Sequence, residues 1–322
     1  MRMKLIPSDT KIDFFRIALL TLGASGLAMV TAVVLFFVMG LNYGIDFRGG
    51  TTIRTDSTVS VDVKAYRDAL APLGLGDVSI TEVFDPTFRA DEHVTQIRIE
   101  QQGDSESMTA QTIERVQTAL KAVDPNMKFP SIESVGPKVS GELIETAIIA
   151  VLLSMAAVLV YVWLRFEWQF AVGAVASLVH DVILTIGLFS LLQIKFDLNI
   201  IAALLTIVGY SLNDTVVVFD RVRENLRKFK KMELKELLNL SINDTLSRTT
   251  MTSFTTLIAL IALFVLGGDV IHGFVFAMIW GIVIGTYSSI FIASTLLLKL
   301  GVKRDWTKTD GSAGTQYANI DA

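Results

Sequence analysis

The run LNIIAALLTIVGYSLNDTVVVFDRVREN, residues 198–225, decides how this chain is to be read. Residues 198–219 carry one charged side chain, Asp214, before Asp220 and Arg221 end the apolar stretch. An uncharged helix of about 20 residues, rising 1.5 Å per residue, covers a bilayer core of roughly 30 Å. Residues 198–219 therefore read as a membrane span with a carboxylate buried about four turns from its start. A charge at mid-helix costs at least about 2.5 kcal/mol on insertion scales unless it faces the bundle interior or a wet cavity, so Asp214 is a functional candidate by default.

The pattern repeats outward from this run. Further spans read at residues 19–39, 144–164, 170–192, 251–266 and 274–298, six in all. Of the 322 residues, 52% are hydrophobic and only 19% charged, which argues against an ordinary cytosolic enzyme. A net charge of −4 gives no reason to expect a nucleic-acid partner. The absence of cysteine excludes disulfides, thiolate metal sites and a cysteine nucleophile. The first span follows Arg2, Lys4, Lys11 and Arg16, yet it is longer than a signal-peptide core and no small-x-small cleavage site follows it; a retained anchor is expected.

Basic residues near span ends resist translocation. With the N-terminus inside, the inner segments hold four basic residues before span one, then Arg165, eight over 221–248 and four over 299–308. Of the two short outer connections, one carries only Lys195 and the Gly267–Gly268 turn none. The expected layout is an inner tail at 1–18, a helix at 19–39, an outer domain at 40–141, five helices within 142–300 with a basic inner loop at 220–247, and an inner tail at 301–322. That loop, with Leu226, Phe229, Leu234, Leu237 and Leu238 beside many basic residues, suits a helix lying on an anionic lipid surface, a docking site, or a solvated basic face.

The outer segment holds ten basic and fifteen acidic residues. Its pattern runs strand (51–55), helix (61–73), strand (78–84), strand (94–101), helix (109–123), strand (129–135). Val63, Tyr66, Leu70 and Leu73 repeat the spacing of Ile113, Val116, Leu120 and Val123, one apolar stripe per helix. The order βαββαβ predicts a small α+β, ferredoxin-like sandwich. His93 stands alone there and the carboxylates are scattered, so a binding or structural role is expected.

Inside the membrane, Tyr210 and Ser211 lie one turn before Asp214 and are placed to bond its carboxylate. Arg248 opens the next span in LSRTTMTSFTT, where six of the eight residues 249–256 bear hydroxyls. Arg248, Thr252 and Thr255 share a face. An Asp214–Arg248 pairing is geometrically allowed, and two readings compete. Either the pair neutralises two buried charges while the threonines bond their own helix, or Asp214 exchanges a proton under control of Arg248. His180 and Asp181 sit mid-span, with Ser177, Asp181 and Thr185 on one face. They form either a second proton station or a self-neutralising pair. No further ligand is spaced to complete a metal site. Gly273, Ala277, Gly281, Gly285, Ser289 and Ala293 make a small-residue ridge, with Gly281 and Gly285 as a GxxxG unit for close helix packing or a sliding surface. No GxxxxGK[ST], GxSxG or HExxH motif is present, so any work must come from the membrane potential, a proton gradient or another subunit.

GIDFRGG (44–50), VGYSLNDTVVVFDRVREN (208–225), LSRTTMTSFTTL (246–257), LFVLGGD (263–269) and GTYSSIFIAS (285–294) together resemble the SecD/SecF family of bacterial protein-export membrane proteins, in order and over nearly the whole chain. The resemblance is to its SecF members. It implies a multi-pass inner-membrane subunit with cytoplasmic termini and a periplasmic domain, of the resistance-nodulation-division type. It also implies a twelve-span complex with SecD, association with SecYEG and with YajC and YidC, a preprotein substrate, and proton-driven help to late translocation after the ATPase step. The family's proton-pathway residues fall on Asp214 and Arg248; Tyr210, Ser211, Asn213, Thr252, His180 and Asp181 are candidates for relay support by their own place in the spans. Gly44, Asp46, Arg48, Gly49 and Gly50 would couple bundle to domain, or equally form a glycine turn with a capped span end. No enzyme activity and no cofactor are implied; the partners are proteins and membrane lipids. Two alternatives remain: a small-molecule exporter of the same superfamily, and a passive assembly or insertase subunit in which Asp214 and Arg248 are a structural pair.

Overall fold

The computed structural model describes residues 10–60, 62–76, 78–83, 93–100 and 108–302. Residues 1–9, 61, 77, 84–92, 101–107 and 303–322, including the sequence tails and the ends of the expected strands at 78–84 and 94–101, lie outside them. Among the described residues six helical segments are long and apolar enough to cross a membrane: Phe14–Met39, Val139–Arg165, Trp168–Leu192, Leu198–Lys228, Leu234–Leu266 and Ile271–Leu300. Their cores are α1 (Ala18–Met39), α5 (Pro137–Arg165), α6 (Trp168–Leu192), α7 (Leu198–Lys228), α8 (Leu234–Leu266), and α9 (Asp269–Ser288) with α10 (Ser294–Leu300). A π-helical turn, Ser289–Ala293, joins the last two.

Helices α6, α7 and α9 are central, with 50%, 44% and 56% of their most apolar window buried, against 11% for each of α1, α5 and α8. Two apolar clusters hold them. One, near the chain termini, gathers Phe14, Phe166, Phe170, Phe219, Leu237 and Leu297. The other, near the domain between α1 and α5, gathers Phe47, Leu178, Phe189, Ile200, Leu204 and Met278. Between them the central helices carry a polar layer: Ser177, His180, Asp181, Ser211, Asp214, Thr215, Ser288 and Ser289, all buried.

The basic stretch at 220–247 is not a loop. Helix α7 continues to Lys228 and α8 starts at Leu234, so one long hairpin replaces the expected surface helix. The physical reason is that its apolar face finds protein instead of lipid: Leu237 and Leu238 are fully buried, in one cluster with Phe14, Phe15, Val218 and Val222. The chain before α1 is strapped to this hairpin rather than free. Asn243 Oδ1 accepts from Ile12 N at 2.9 Å, and Asn239 Oδ1 from Phe14 N at 2.9 Å.

The domain between α1 and α5 holds β2 (Gly50–Ser57), α3 (Val63–Leu70), β3 (Val78–Val83), β4 (His93–Ile99), α4 (Ala110–Lys121) and β5 (Lys128–Val135). The strands pair antiparallel in the order β3-β4-β2-β5. Each helix starts at a side-chain cap: Asp62 accepts from Lys64 N and Ala65 N, Thr109 from Thr112 N. Ile53, Tyr66, Leu70, Ile97, Val116 and Leu120 form the shared core. The second apolar stripe stops short of its expected end, because α4 closes at Lys121 and Val123 is exposed.

Candidate functional site: a polar layer and its link to the domain

Asp214 lies on α7 with only 2% of its surface exposed, and its Oδ2 is buried with no hydrogen-bond partner among the described residues. A buried carboxylate left unpaired is costly, because desolvation disfavours the charged form. Ser253 and Arg248 of α8 are the groups that interact with it electrostatically. Ser253 Oγ is itself held by Thr286 Oγ1 at 2.8 Å. Arg248 is exposed, and no ion pair within 4.0 Å joins it to Asp214 among the described residues.

The expected supports of Asp214 are placed differently. Tyr210 Oη donates to Thr256 Oγ1 at 3.3 Å, tying α7 to α8 instead. Ser211 turns the other way and donates to Asp181 Oδ2 at 2.7 Å. Spacing along α7 leaves it beside Asp214, but its hydroxyl finds its acceptor across the α6 interface. Asn213 is exposed on the bundle surface. Thr252 Oγ1 bonds back to Arg248 O at 3.2 Å and Thr249 O at 2.8 Å, so its hydroxyl serves its own helix.

Asp181 gathers three contacts on its carboxylate. Its Oδ1 lies 3.0 Å from His180 Nδ1, and its Oδ2 accepts from Ser211 Oγ and, at 2.8 Å, from Ser288 Oγ. Ser288 Oγ also meets Ser177 Oγ at 3.1 Å, and Thr215 Oγ1 meets Ser289 Oγ at 2.9 Å. Helices α6, α7 and α9 are thus joined through one carboxylate. Sequence reasoning missed Ser288 as a donor; the signal available was its place in span six three residues after Gly285, level with the GxxxG unit. At that unit the helices approach closely: a Cβ at Gly285 would stand 3.0 Å from Ser211 Cβ, and one at Gly281 2.5 Å from Ile207 Cδ1.

The glycine motif is where the domain meets the bundle. Two short strands, β1 (Asn42–Tyr43) and β6 (Lys195–Phe196), pair parallel, and Gly44 N donates to Phe196 O at 2.8 Å. A Cβ on Gly44 would come within 3.1 Å of Asp197 Cβ. Asp46, on the single turn α2 (Ile45–Arg48), accepts from Leu198 N at 3.1 Å and so caps α7 from outside. Arg48 reaches the sheet, 3.1 Å from Glu100. Gly49 and Gly50 have φ of +73° and +120°, conformations that L side chains rarely adopt, and they turn the chain into β2. Asp197, the side-chain cap of α7, has its carboxyl pushed upward by burial. Among the described residues no group of three His, Cys, Asp or Glu side chains is placed to hold a metal ion.

Comparison with known proteins agrees with this architecture. Residues 115–303 match the family model described as protein export membrane protein SecD/SecF, C-terminal, and residues 34–58 match the SecD/SecF GG motif. A "Protein translocase subunit SecF" of Cereibacter sphaeroides is 62% identical over 321 residues, covering 100% of this chain and 99% of that one. A "Protein translocase subunit SecDF" of Brucella abortus is 40% identical, covering 98% of this chain and 41% of that one. The crystal structure of SecDF from Thermus thermophilus, a translocon-associated membrane protein, superposes with a TM-score of 0.80 at 36% identity, covering 92% of this chain and 39% of that one. The chain therefore spans about two fifths of those longer SecDF proteins and nearly all of the SecF relative. With the GG motif at the domain junction and the C-terminal family match running across the polar layer, the chain belongs to the SecD/SecF family of protein-export membrane proteins.

Proposed function

We propose that the chain acts as the SecF subunit of a protein translocase, paired with SecD, and converts proton movement at Asp214 into movement of its outer domain. The observation that carries this reading is a buried carboxyl with an unpartnered oxygen, on a helix whose first turn is capped by the domain's own motif residue Asp46. Ionised, Asp214 attracts Arg248 and Ser253 of α8; protonated, it releases them, and the α7–α8 pair relaxes. One charge crossing 100 mV supplies about 2.3 kcal/mol, enough to bias two packings of that kind. The protein is read as a coupling subunit rather than an enzyme.

Polar residues exposed at membrane depth support a second bundle covering this one: Asn213 on α7, with Arg248, Thr252 and Thr255 on α8. The longer SecDF relatives, which hold both halves in one chain, make SecD the expected cover. The domain is read as a ferredoxin-like sandwich on the periplasmic side, a reading supported by its βαββαβ order and β3-β4-β2-β5 sheet. Both termini are then cytoplasmic and the basic α7–α8 hairpin lies inside, as the positive-inside rule expects. SecYEG, YajC and YidC are proposed neighbours, with the emerging preprotein as client. In the passive-subunit alternative Asp214 and Arg248 serve only to neutralise each other, and the two readings part in the behaviour of Asp214→Asn.

The test is proton-gradient-dependent completion of preprotein translocation in inverted membrane vesicles, wild type against Asp214→Asn at equal abundance and equal assembly with SecD. Loss of the gradient-dependent part with ATP-driven initiation intact is the expected result. Equal completion in both would remove Asp214 from energy coupling.

A further inference from the structure

Asp181 is fully buried, and three polar groups converge on its two oxygens: Ser211 Oγ and Ser288 Oγ donate to Oδ2, and His180 Nδ1 lies 3.0 Å from Oδ1. With His180 in its Nδ1–H tautomer, that set suits an ionised carboxylate, which accepts at every lone pair and donates nowhere. A lone negative charge at this depth needs a positive partner. Helix α1 brings none, for no charged residue lies between Arg16 and Asp46. Helix α5 brings none between Glu145 and Arg165, and between Asp269 and Lys299 the last span brings only His272, which is held by Phe264 O at 2.9 Å and stacks on the Phe264 ring, and Tyr287, whose ring lies 6.0 Å from that of His180. Helix α7 brings Ser211 and Asp214, itself acidic. His180 is the one group left.

With Nδ1–H donated to Asp181, the lone pair of His180 lies on Nε2. Nε2 is buried and has no partner among the described residues. The nearest ring is that of Tyr287, 6.0 Å away between centroids, whose hydroxyl is engaged with Ser25 Oγ at 2.9 Å and Thr21 O at 3.1 Å. A proton can therefore be added at Nε2 without breaking any hydrogen bond of the pair, turning its net charge from negative to neutral.

We propose that the His180–Asp181 pair is a second proton-binding site of the bundle, loaded at His180 Nε2 and linked through Ser211 to the helix that carries Asp214. This rests on the proton-coupled reading above. Hydrogen bonds to a charged carboxylate are shorter and stronger than neutral ones. Loading the pair weakens the hold of Asp181 on Ser211 of α7 and on Ser288 of α9, just where the last span passes into its π turn.

Histidine titration by NMR on the full chain in lipid nanodiscs reads the loading directly. The chain has three histidines, His93, His180 and His272, so His93→Gln and His272→Gln identify the His180 signal by elimination. The expected result is a reversible change at His180 from the Nδ1–H tautomer to imidazolium while the protein stays folded, and loss of that change in Asp181→Asn. A His180 signal that stays neutral wherever the protein is folded overturns the proposal. In vesicles, His180→Asn keeps the donor to Asp181 but cannot titrate, and gradient-dependent completion falls about tenfold or more while ATP-driven initiation persists. If Asp214→Asn stops completion and His180→Asn leaves it unchanged at every pH, the pair's role fails and the coupling reading stands. If both variants are silent, the coupling reading fails and takes this role with it.

Discussion

Asp46 shows how much one side chain carries in this fold. Its carboxylate belongs to the domain's entry motif, yet its hydrogen bond goes to Leu198 N, the first residue of the helix bearing Asp214. Loss of a helix cap costs about 1 kcal/mol. Asp46→Ala is therefore expected to raise amide hydrogen exchange in the first turn of α7 several-fold, in the full chain in lipid, while Asp46→Asn stays close to wild type. Equal exchange in both variants would mean that Asp197 caps that end alone. Asp124 carries a similar load within the domain, accepting from Ser57 Oγ at 2.7 Å, Thr58 N at 3.0 Å, Thr58 Oγ1 at 3.3 Å and Asn126 N at 2.9 Å. The Ser57 bond above all, with those from Asn126 and Thr58, holds its carboxyl below the ordinary value of 3.8. A folded value below the unfolded one gives stability that is present above the ordinary pKa and is lost as pH falls through the folded value. Exchange around residues 57–60 and 124–127 should rise below about pH 4, and Asp124→Asn should remove that acid-dependent increment.

At the level of helices, contact between backbones sets the tolerance for added atoms. A Cβ at Gly187 on α6 would sit 2.7 Å from Ala32 Cα on α1, a backbone atom that cannot turn aside, whereas Gly26 on α1 has open space. Gly187→Ala should push α1 off α6 at a cost of about 1–3 kcal/mol, and Gly26→Ala should be neutral. Thermal unfolding in matched detergent checks both. The two contacts were not equally legible. Gly281 and Gly285 announced themselves by four-residue spacing, while Gly187 meets a small residue on another helix, and no periodicity within one helix reveals that. The same limit explains Ser211. Spacing along α7 put it beside Asp214, but its actual acceptor depends on the azimuth of α6, which a single sequence does not encode. Leu237 and Leu238 were readable as an apolar face, yet whether that face meets lipid or Phe14 and Phe15 is a tertiary matter.

Across the whole molecule, spans and domain order were legible because hydrophobic length and strand-helix alternation are local signals. Gly44, Asp46 and Gly50 stood out as a motif, but their role lies in what they touch: the α6–α7 turn, met through the parallel pairing of Asn42 with Lys195 and Tyr43 with Phe196. This junction and the start of α5 are the two covalent routes between bundle and domain, and the strand pair adds a third, noncovalent one. If proton-driven change at Asp214 travels along α7 to the domain, residues 42–46 must shift against residues 195–198 during the cycle. The chain has no cysteine, so Asn42→Cys with Lys195→Cys introduces a single pair at positions that face each other in register. Neighbouring strands run about 4.8 Å apart, within the span of roughly 4.4–6.8 Å that a disulfide bridges between Cα atoms. Oxidation of this pair should halt gradient-dependent completion in vesicles, and reduction should restore it, with neither single variant affected. Full completion in the oxidised state would show that the junction stays rigid while the protein works, and the moving contact would then have to lie at α5 or within the domain itself.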